Sequence, residues 1–581
     1  MTKQRSKQKK TSGKGASRRR GKHDDSDRST QQEHSAFKAV RETVESIVIA
    51  FVLAFLFRTF EAEAFVIPTG SMAPTLLGRN KDVECDECGF AYQASASSEN
   101  NDERNKGRSF EDREIVVTSC PVCHYTMTVA PHPSEPGAEQ EPTYSGDRIL
   151  VDKISYQIGD PKRWDVFVFK WPQESATNYI KRLVGLPNET LKIEGGDIHV
   201  DRGEGFYLAR RSHVPDKLVA MLQVIHDNHH IPRTLVKAGW PHRWMALQPD
   251  VPGGWTSPAI DFGEEHFGRQ TFETDGSSQE ARWLRYGHVV PMFEQWESMQ
   301  QGVPLDEPPR RFLITDFYAY NTAIQRFDFA MRATDKLLPV GKNWVGDLAV
   351  ECQVEVLGDG GELLLQLVEG GQKFECRVDL GNGAATFWIN GADKPLATAA
   401  TDVRGAGSYQ LRFANVDDEL LLWVDGELVM FDAYAIDTSV PRALDLEPVG
   451  IGGRGAKLRV DHIRVLRDIY YVAVSKLGQE MRDVPLNTDA ITFFSAPKQW
   501  TAYPIKSQRR KAVFRIGKDE FLPLGDNSPE SQDGRIWDPA GVNHTVHRDL
   551  LIGKALYIYW PHTWNSPVPF WPNWRRMKLV R

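Results

Sequence analysis

The sequence predicts a mainly β protein with three parts: an N-terminal transmembrane helix, a β domain assembled from both ends of the chain, and an inserted jelly-roll-like β-sandwich. Three observations carry this expectation. Ser46 to Phe57 is uncharged and almost wholly apolar. Residues 344–470 alternate β-type runs with glycine and aspartate turns, as the strands of a sandwich do. Shorter β-type runs stand far apart in the chain, at Arg148–Asp152, Asp165–Phe169 and Ala555–Tyr559.

With 581 residues the chain exceeds the roughly 100–200 residues of one domain, so several folding units are expected. Its 41% hydrophobic and 26% charged content is that of a globular protein, and a net charge of -7 gives no general attraction to nucleic acid. That average conceals a basic arm. Residues 1–36 place Arg18, Arg19, Arg20 and several lysines among Ser, Gly and Gln with almost nothing apolar to bury, which predicts disorder.

The apolar run that follows is shorter than the roughly 20 residues needed to span hydrocarbon. A start near Phe37 extends it through Val40 and Val44, giving a transmembrane helix over 37–58 with the basic arm inside. A cleavable signal is the rival, because Ala62-Glu63-Ala64 has the form of a cleavage site.

Residues 79–145 carry the pairs Cys85/Cys88 and Cys120/Cys123 around a polar loop, Ala94–Arg113, expected to be disordered. The paired CxxC pattern resembles the two knuckles of a zinc ribbon, with four thiolates closing a structural zinc site. Two disulfides are the alternative for an exported segment. Residues 201–315 show no clear pattern beyond a helix expected near Asp216–His226. In the sandwich, Asn390-Gly391 and Asp425-Gly426 are hairpin signals, and Cys352 and Cys376 are expected on neighbouring strands as buried thiols or a disulfide. Its runs around Leu411–Val416 and Glu419–Leu428 resemble concanavalin-like or laminin-G-like jelly rolls. Such a likeness leaves a packing module and a glycan- or protein-binding module equally open.

Three blocks carry chemistry. Phe65-Val-Ile-Pro-Thr-Gly-Ser-Met leads apolar residues into a glycine turn that presents the Ser71 hydroxyl. A serine needs a base and oxyanion donors before it can act as a nucleophile. Asn178-Tyr-Ile-Lys-Arg-Leu-Val-Gly sets Lys181 among apolar β residues, where desolvation would lower its pKa and make it a base. Leu524-Gly-Asp-Asn-Ser-Pro-Glu-Ser-Gln-Asp-Gly-Arg is a third, polar block.

In this order, and with Gly146–Lys153 and Trp164–Pro172 between them, the blocks resemble the conserved boxes of bacterial type I signal peptidases. The resemblance covers roughly 40–78, 146–200 and 510–581; Trp164 and Gly534 depart from its pattern. It implies a signal-peptidase-type β catalytic domain over 59–200 and 471–581, with a zinc-ribbon-like insertion at 79–145 and a second insertion at 201–470. It further implies Ser71 as nucleophile, Lys181 as general base, Thr69 as an oxyanion-hole hydroxyl and Ser531 as the residue orienting the amine. Gly525, Asp526, Asn527, Asp533 and Arg535 would support the site.

The implied activity is removal of signal peptides from secretory precursors after A-x-A-like sites, without a catalytic cofactor, structural zinc at the cysteines aside. Phe65, Ile67 and Met72 are candidates for lining the pockets that select small side chains, with a place in the core equally open. The implied surroundings are the plasma or inner membrane in a single pass, with lipid and the secretion translocon as partners and the catalytic domain on the outer face. Trp560, Trp564, Trp571 and Trp574 could meet lipid or pack in the β domain. A dedicated processing enzyme and a surface-binding protein with a relic peptidase domain are the alternatives; the intact Ser71, Lys181 and Ser531 set argues against the relic. Since the boxes lie outside 201–470, that segment is expected to be dispensable for cleavage.

Overall fold

The computed structural model describes residues 41, 43–52, 62–100, 109–130, 142–265, 267–305, 307–330, 339–476, 478–486, 489–537, 544–564 and 571–581. The chain divides into two units, Met1–Ala62 and Glu63–Arg581. The arm expected over 1–36 lies outside the described residues, as does much of the expected span 37–58. Arg41 and residues 43–52 are helical. Among the described residues no helix is long and apolar enough to cross a membrane.

The second unit is mainly β. One seven-stranded sheet runs in the order Ala62–Val66, Arg148–Asp152, Leu551–Trp560, Val166–Trp171, Glu174–Gly185, Glu520–Leu524 and Val546–His547. The order alternates early and late segments of the chain, so the sheet closes only after the insertions have been traversed. A smaller sheet runs Tyr207–Leu208, Asp197–Asp201, Thr190–Glu194 and Lys511–Arg515. Alternation places Leu191, Ile193, Ile198, Val200, Ala512 and Phe514 in one shared core.

The sandwich consists of two larger sheets. One runs Gln223–Asp227, Lys457–Arg467, Leu348–Val356, Gly407–Val416, Glu419–Val424 and Glu427–Ala433, with Phe272–Asp275 also paired to Lys457–Arg467. The other runs Trp244–Ala246, Arg282–Tyr286, Val449–Arg454, Glu362–Glu369, Gln372–Asp379, Ala384–Ile389 and Ala397–Ala400. The inward residues of both sheets form the largest core of the molecule, including Val350, Val354, Leu365, Phe374, Phe413 and Ile451. At Asn390-Gly391 and Asp425-Gly426 all four residues have positive φ, the backbone that tight two-residue hairpin turns require.

Several expectations need correction. The helix expected near Asp216–His226 is shorter, Pro215–Met221, and Gln223–Asp227 is a strand that pairs with Lys457–Arg467. A short amphipathic run cannot by itself distinguish the two, and the sheet edge takes the apolar residues. The irregular stretch before residue 315 supplies strands to both sandwich sheets, so the sandwich begins well before residue 344. Cys352 and Cys376 lie in facing sheets and are free, buried thiols within the sandwich core. Part of the polar loop Ala94–Arg113 is ordered, with a short helical turn at Ser97–Glu99 and a helix at Phe110–Arg113. The rest of that expectation, residues 101–108, lies outside the described residues.

Two buried ion pairs organise the last block: one fastens it to the sheet and the other lies within it. Arg182 donates from Nε to Oδ1 of Asp526 and from Nη2 to Oδ2, both at 2.6 Å, with both side chains fully buried. The same guanidinium donates to the Trp164 carbonyl at 2.8 Å and to Thr75 Oγ1 at 3.0 Å. Arg535 grips Asp533 through Nε and Nη2 at 2.8 Å, and reaches the Val472 carbonyl and Ser528. Every nitrogen of both guanidiniums has an acceptor, which offsets the cost of their burial.

Removing one partner would strand the other charge, so Asp526→Ala should lower the unfolding free energy by about 3–5 kcal/mol. The urea midpoint, compared with wild type, measures it. A loss under about 1 kcal/mol would mean that the pair behaves as a solvated one.

Candidate active site

Ser71 occupies a short helical turn, Gly70–Met72, that follows the extended residues 62–69. Gly70 stands there because the Tyr320 ring lies against its Cα; an added Cβ would sit 2.3 Å from Tyr320 Cε1. Lys181 belongs to the strand Glu174–Gly185, where it pairs with Phe167. Alternation sends adjacent side chains to opposite faces, so Arg182 reaches Asp526 while Lys181 reaches the serine.

Lys181 Nζ lies 2.7 Å from Ser71 Oγ and 3.1 Å from the Ile180 carbonyl. The amine is only 3% exposed, and burial lowers its pKa to about 8 although Asp533 and Asp526 oppose the shift. An amine so placed exchanges a proton with a hydroxyl near neutral pH.

The third block closes over the serine. Asn527 donates from its backbone N–H to the Ser71 carbonyl and from Nδ2 to the Gly70 carbonyl, both at 3.1 Å. Gly525 is needed where it stands, since a Cβ there would lie 2.1 Å from Ser531 Oγ and 2.5 Å from the Ser71 carbonyl oxygen. Its N–H donates to Asp533 Oδ2 at 2.9 Å. Ser531 is buried beside this glycine, but its Oγ has no hydrogen-bond partner among the described residues, so no bond from Ser531 orients the Lys181 amine here. Thr69, half-buried, lines the cleft next to Ser71.

The cleft has a volume of about 440 Å³. It is lined by Thr177–Lys181 of one strand and, among others, by Ser97, Ile115, Asn321, Ala323 and Gln325. Ser97 and Ile115 come from the 79–145 segment, and Asn321, Ala323 and Gln325 come from 201–470, the segment expected to be dispensable for cleavage. Sequence reasoning missed them because none stands in a recognisable block. The candidates Phe65, Ile67 and Met72 do not line this cleft: Ile67 and Met72 are buried in a core with Leu76, Ile149 and Val151, and Phe65 packs against it. Among the C-terminal tryptophans, Trp564 pairs with Trp571 and donates to Asp82 Oδ2 at 2.8 Å, whereas Trp574 is 63% exposed.

Cys85, Cys88, Cys120 and Cys123 converge with all four sulfurs within 4.8 Å of one another, buried and free of disulfides. The closest pairs, Cys85–Cys123 and Cys88–Cys120 at 3.5 Å, run across the two knuckles and not within them. Tetrahedral zinc with Zn–S bonds of about 2.3 Å separates its sulfurs by about 3.8 Å, so the donor set fits that ion.

The chain matches the family described as Signal peptidase, peptidase S26 over residues 112–232. It is 44% identical over 70 residues to signal peptidase I of Pseudomonas aeruginosa, covering 10% of this chain and 25% of that protein. A probable signal peptidase I-2 of Synechocystis is 36% identical over 73 residues, 11% of this chain and 33% of the relative. Signal peptidase I of Aquifex aeolicus is 40% identical over 59 residues, 10% and 23%. The chain thus spans about a quarter to a third of these curated relatives.

Among solved structures, carbohydrate binding module CBM66 from Bacillus subtilis has a TM-score of 0.20 at 12% identity, covering 37% of this chain and 96% of that one. The galectin LEC-6 of Caenorhabditis elegans has a TM-score of 0.17 at 9% identity, covering 20% and 83%. Scores this low support no argument.

The Lys181 amine should titrate near pH 8 in the folded protein. Brief acetic anhydride labelling across a pH series, read by peptide mass spectrometry, should give Lys181 a midpoint near 8. Unfolded protein should give the roughly 10.4 of a free lysine. An unshifted midpoint in the folded state would show that the amine is solvated.

Proposed function

We propose that this protein is a serine endopeptidase of the signal peptidase I type that removes signal peptides from secretory precursors after small residues. The observation that carries the reading is the buried Lys181 amine 2.7 Å from Ser71 Oγ, beside a chain region that matches the peptidase family.

Neutral Lys181 takes the Ser71 proton as Oγ attacks the scissile carbonyl, and the resulting ammonium returns a proton to the departing amine. The acyl-enzyme is then hydrolysed by a water whose proton passes to the same amine and from it to the departing Ser71 Oγ, which restores both groups. The Ser71 N–H and the Thr69 hydroxyl are the proposed donors to the oxyanion, whose charge develops in the transition state and must be met there. The substrate lies extended along the strand of Lys181. Ser531 packs against Gly525, whose place in the third block lies against the Ser71 carbonyl.

The same reading makes the precursor, lipid and the secretion translocon the partners, with the arm and residues 37–58 anchoring the enzyme to the plasma or inner membrane. No cofactor takes part in the proposed chemistry. Zinc, held by Cys85, Cys88, Cys120 and Cys123, would be structural, tying the two knuckles together where no disulfide does so.

Ser71→Ala and Lys181→Arg should each abolish cleavage of a detergent-solubilised precursor; arginine keeps the charge but cannot give up its proton. For wild type, kcat/KM should rise with pH through about 8, because only the deprotonated amine is a base and lowering the pH removes it. Near-wild-type cleavage by either variant would sink the dyad.

Metal analysis should find about one zinc per chain, absent when Cys85 and Cys88 are changed to Ser. Metal-free protein with all four thiols oxidised would establish the disulfide reading instead.

A further inference from the structure

The segment Ala319–Gln325 belongs to the inserted chain, yet its contacts run towards the nucleophile. Ile324 and Gln325 pair with Val117 and Ile115 of the strand leading to Cys120. Thr322 Oγ1 accepts from the Ser119 N–H at 2.9 Å and donates to the Ala319 carbonyl at 2.8 Å, which holds the intervening turn in place. That turn presents two residues to the serine. Tyr320 packs against Gly70, and Asn321 forms a reciprocal amide pair with Asn527, 2.7 Å in each direction. Asn527 in turn holds the carbonyls of Gly70 and Ser71. From the other side, Ser97 Oγ accepts the Gly70 N–H at 3.1 Å.

We propose that Ala319–Gln325 is part of the peptidase site: Asn321 positions the nucleophile turn through Asn527, and Ala323 with Gln325 forms a substrate-selecting wall of the cleft. The proposal rests on the peptidase reading. Its physical basis is that the Asn321 amide restrains a side chain whose second N–H would otherwise be free to leave the Gly70 carbonyl. Its consequence for substrate is a peptide that meets the insertion as well as the sheet, so bulk at the residues facing the wall is selected by the insertion and not by the sheet alone. The cleft side of the wall is polar at Ser97, Asn321 and Gln325, which suits extended, polar chain around the scissile bond better than an apolar segment.

Two readouts test this. Asn321→Ala should lower kcat about fivefold to tenfold through loss of both hydrogen bonds of the amide pair, with KM nearly unchanged. The same change should cost nothing further in an Asn527→Ala background, because the two act through one contact. Full kcat in Asn321→Ala, or independent losses that multiply, would overturn the positioning role.

The wall is tested without turnover. In Ser71→Ala protein, Gln325→p-benzoylphenylalanine should photocrosslink a 20-residue peptide with a central Ala-Gln-Ala, while the same substitution at Lys394 on the sandwich surface should not. Wild-type cleavage without crosslinking at 325 would overturn the wall and leave the peptidase reading standing. Crosslinking at 325 with no wild-type cleavage would do the reverse. Neither cleavage nor crosslinking would overturn both.

Discussion

The buried pairing of Arg182 with Asp526 is the interaction on which the site depends, because it joins segments 344 residues apart at the place where three blocks meet. Arg182 sits next to Lys181 in one strand, and Asp526 sits next to Asn527 in the last block. Holding the first pair therefore sets the second. Lys181 faces the serine, and Asn527 holds the carbonyls of the turn that carries it. A carboxylate and a guanidinium without solvent have few alternative arrangements, since each lost hydrogen bond leaves a charge unpaired. Thr75 completes the enclosure by donating to Asp526 Oδ2 while accepting from Arg182 Nη2.

Lysine 181 has the opposite electrostatic situation one residue away. Among the described residues no carboxylate bonds to its amine, whose hydrogen-bond partners are a hydroxyl and a carbonyl oxygen, with the Tyr179 ring centre 5.5 Å away. Burial therefore outweighs the opposing charges of Asp533 and Asp526, which act on the amine without bonding to it. The carboxylates of the last block are already engaged by Arg182 and Arg535, and that engagement keeps them from becoming counter-ions to Lys181. One block thus supplies rigidity through its ion pairs while leaving the nearby amine able to lose its proton.

The insertions are woven into the molecule instead of hanging from it. The core around the four cysteines also contains Leu235, Trp240, Val289 and Trp296, from the chain that precedes the main sandwich strands. His230 Nδ1 lies 2.8 Å from the Cys88 carbonyl oxygen. A four-cysteine module is too small to bury much apolar surface, and sharing a core with its neighbour relieves that shortage. The shared core also anchors Ala319–Gln325, and so the geometry around the serine depends on residues far from its own block.

Local pattern alone was enough for the chain's mainly β character and the hairpins at Asn390-Gly391 and Asp425-Gly426, whereas Ser71, Lys181, Asp526, Asp533 and Arg535 became candidates through the resemblance of their blocks, taken together and in order, to a known family. The β character and the hairpins come from short-range causes: alternation along strands and the φ that Asn, Asp and Gly tolerate. Tertiary structure decided what no window of sequence contains. It assigned Gln223–Asp227 to a sheet, put Cys352 and Cys376 in facing layers, buried Ile67 and Met72 in a core, and left Ser531 without a bond to the amine. It also brought Asn321 to Asn527 across 206 residues. Such contacts depend on which sheets close on one another, and that is settled by packing over the whole chain and not by the residues on either side.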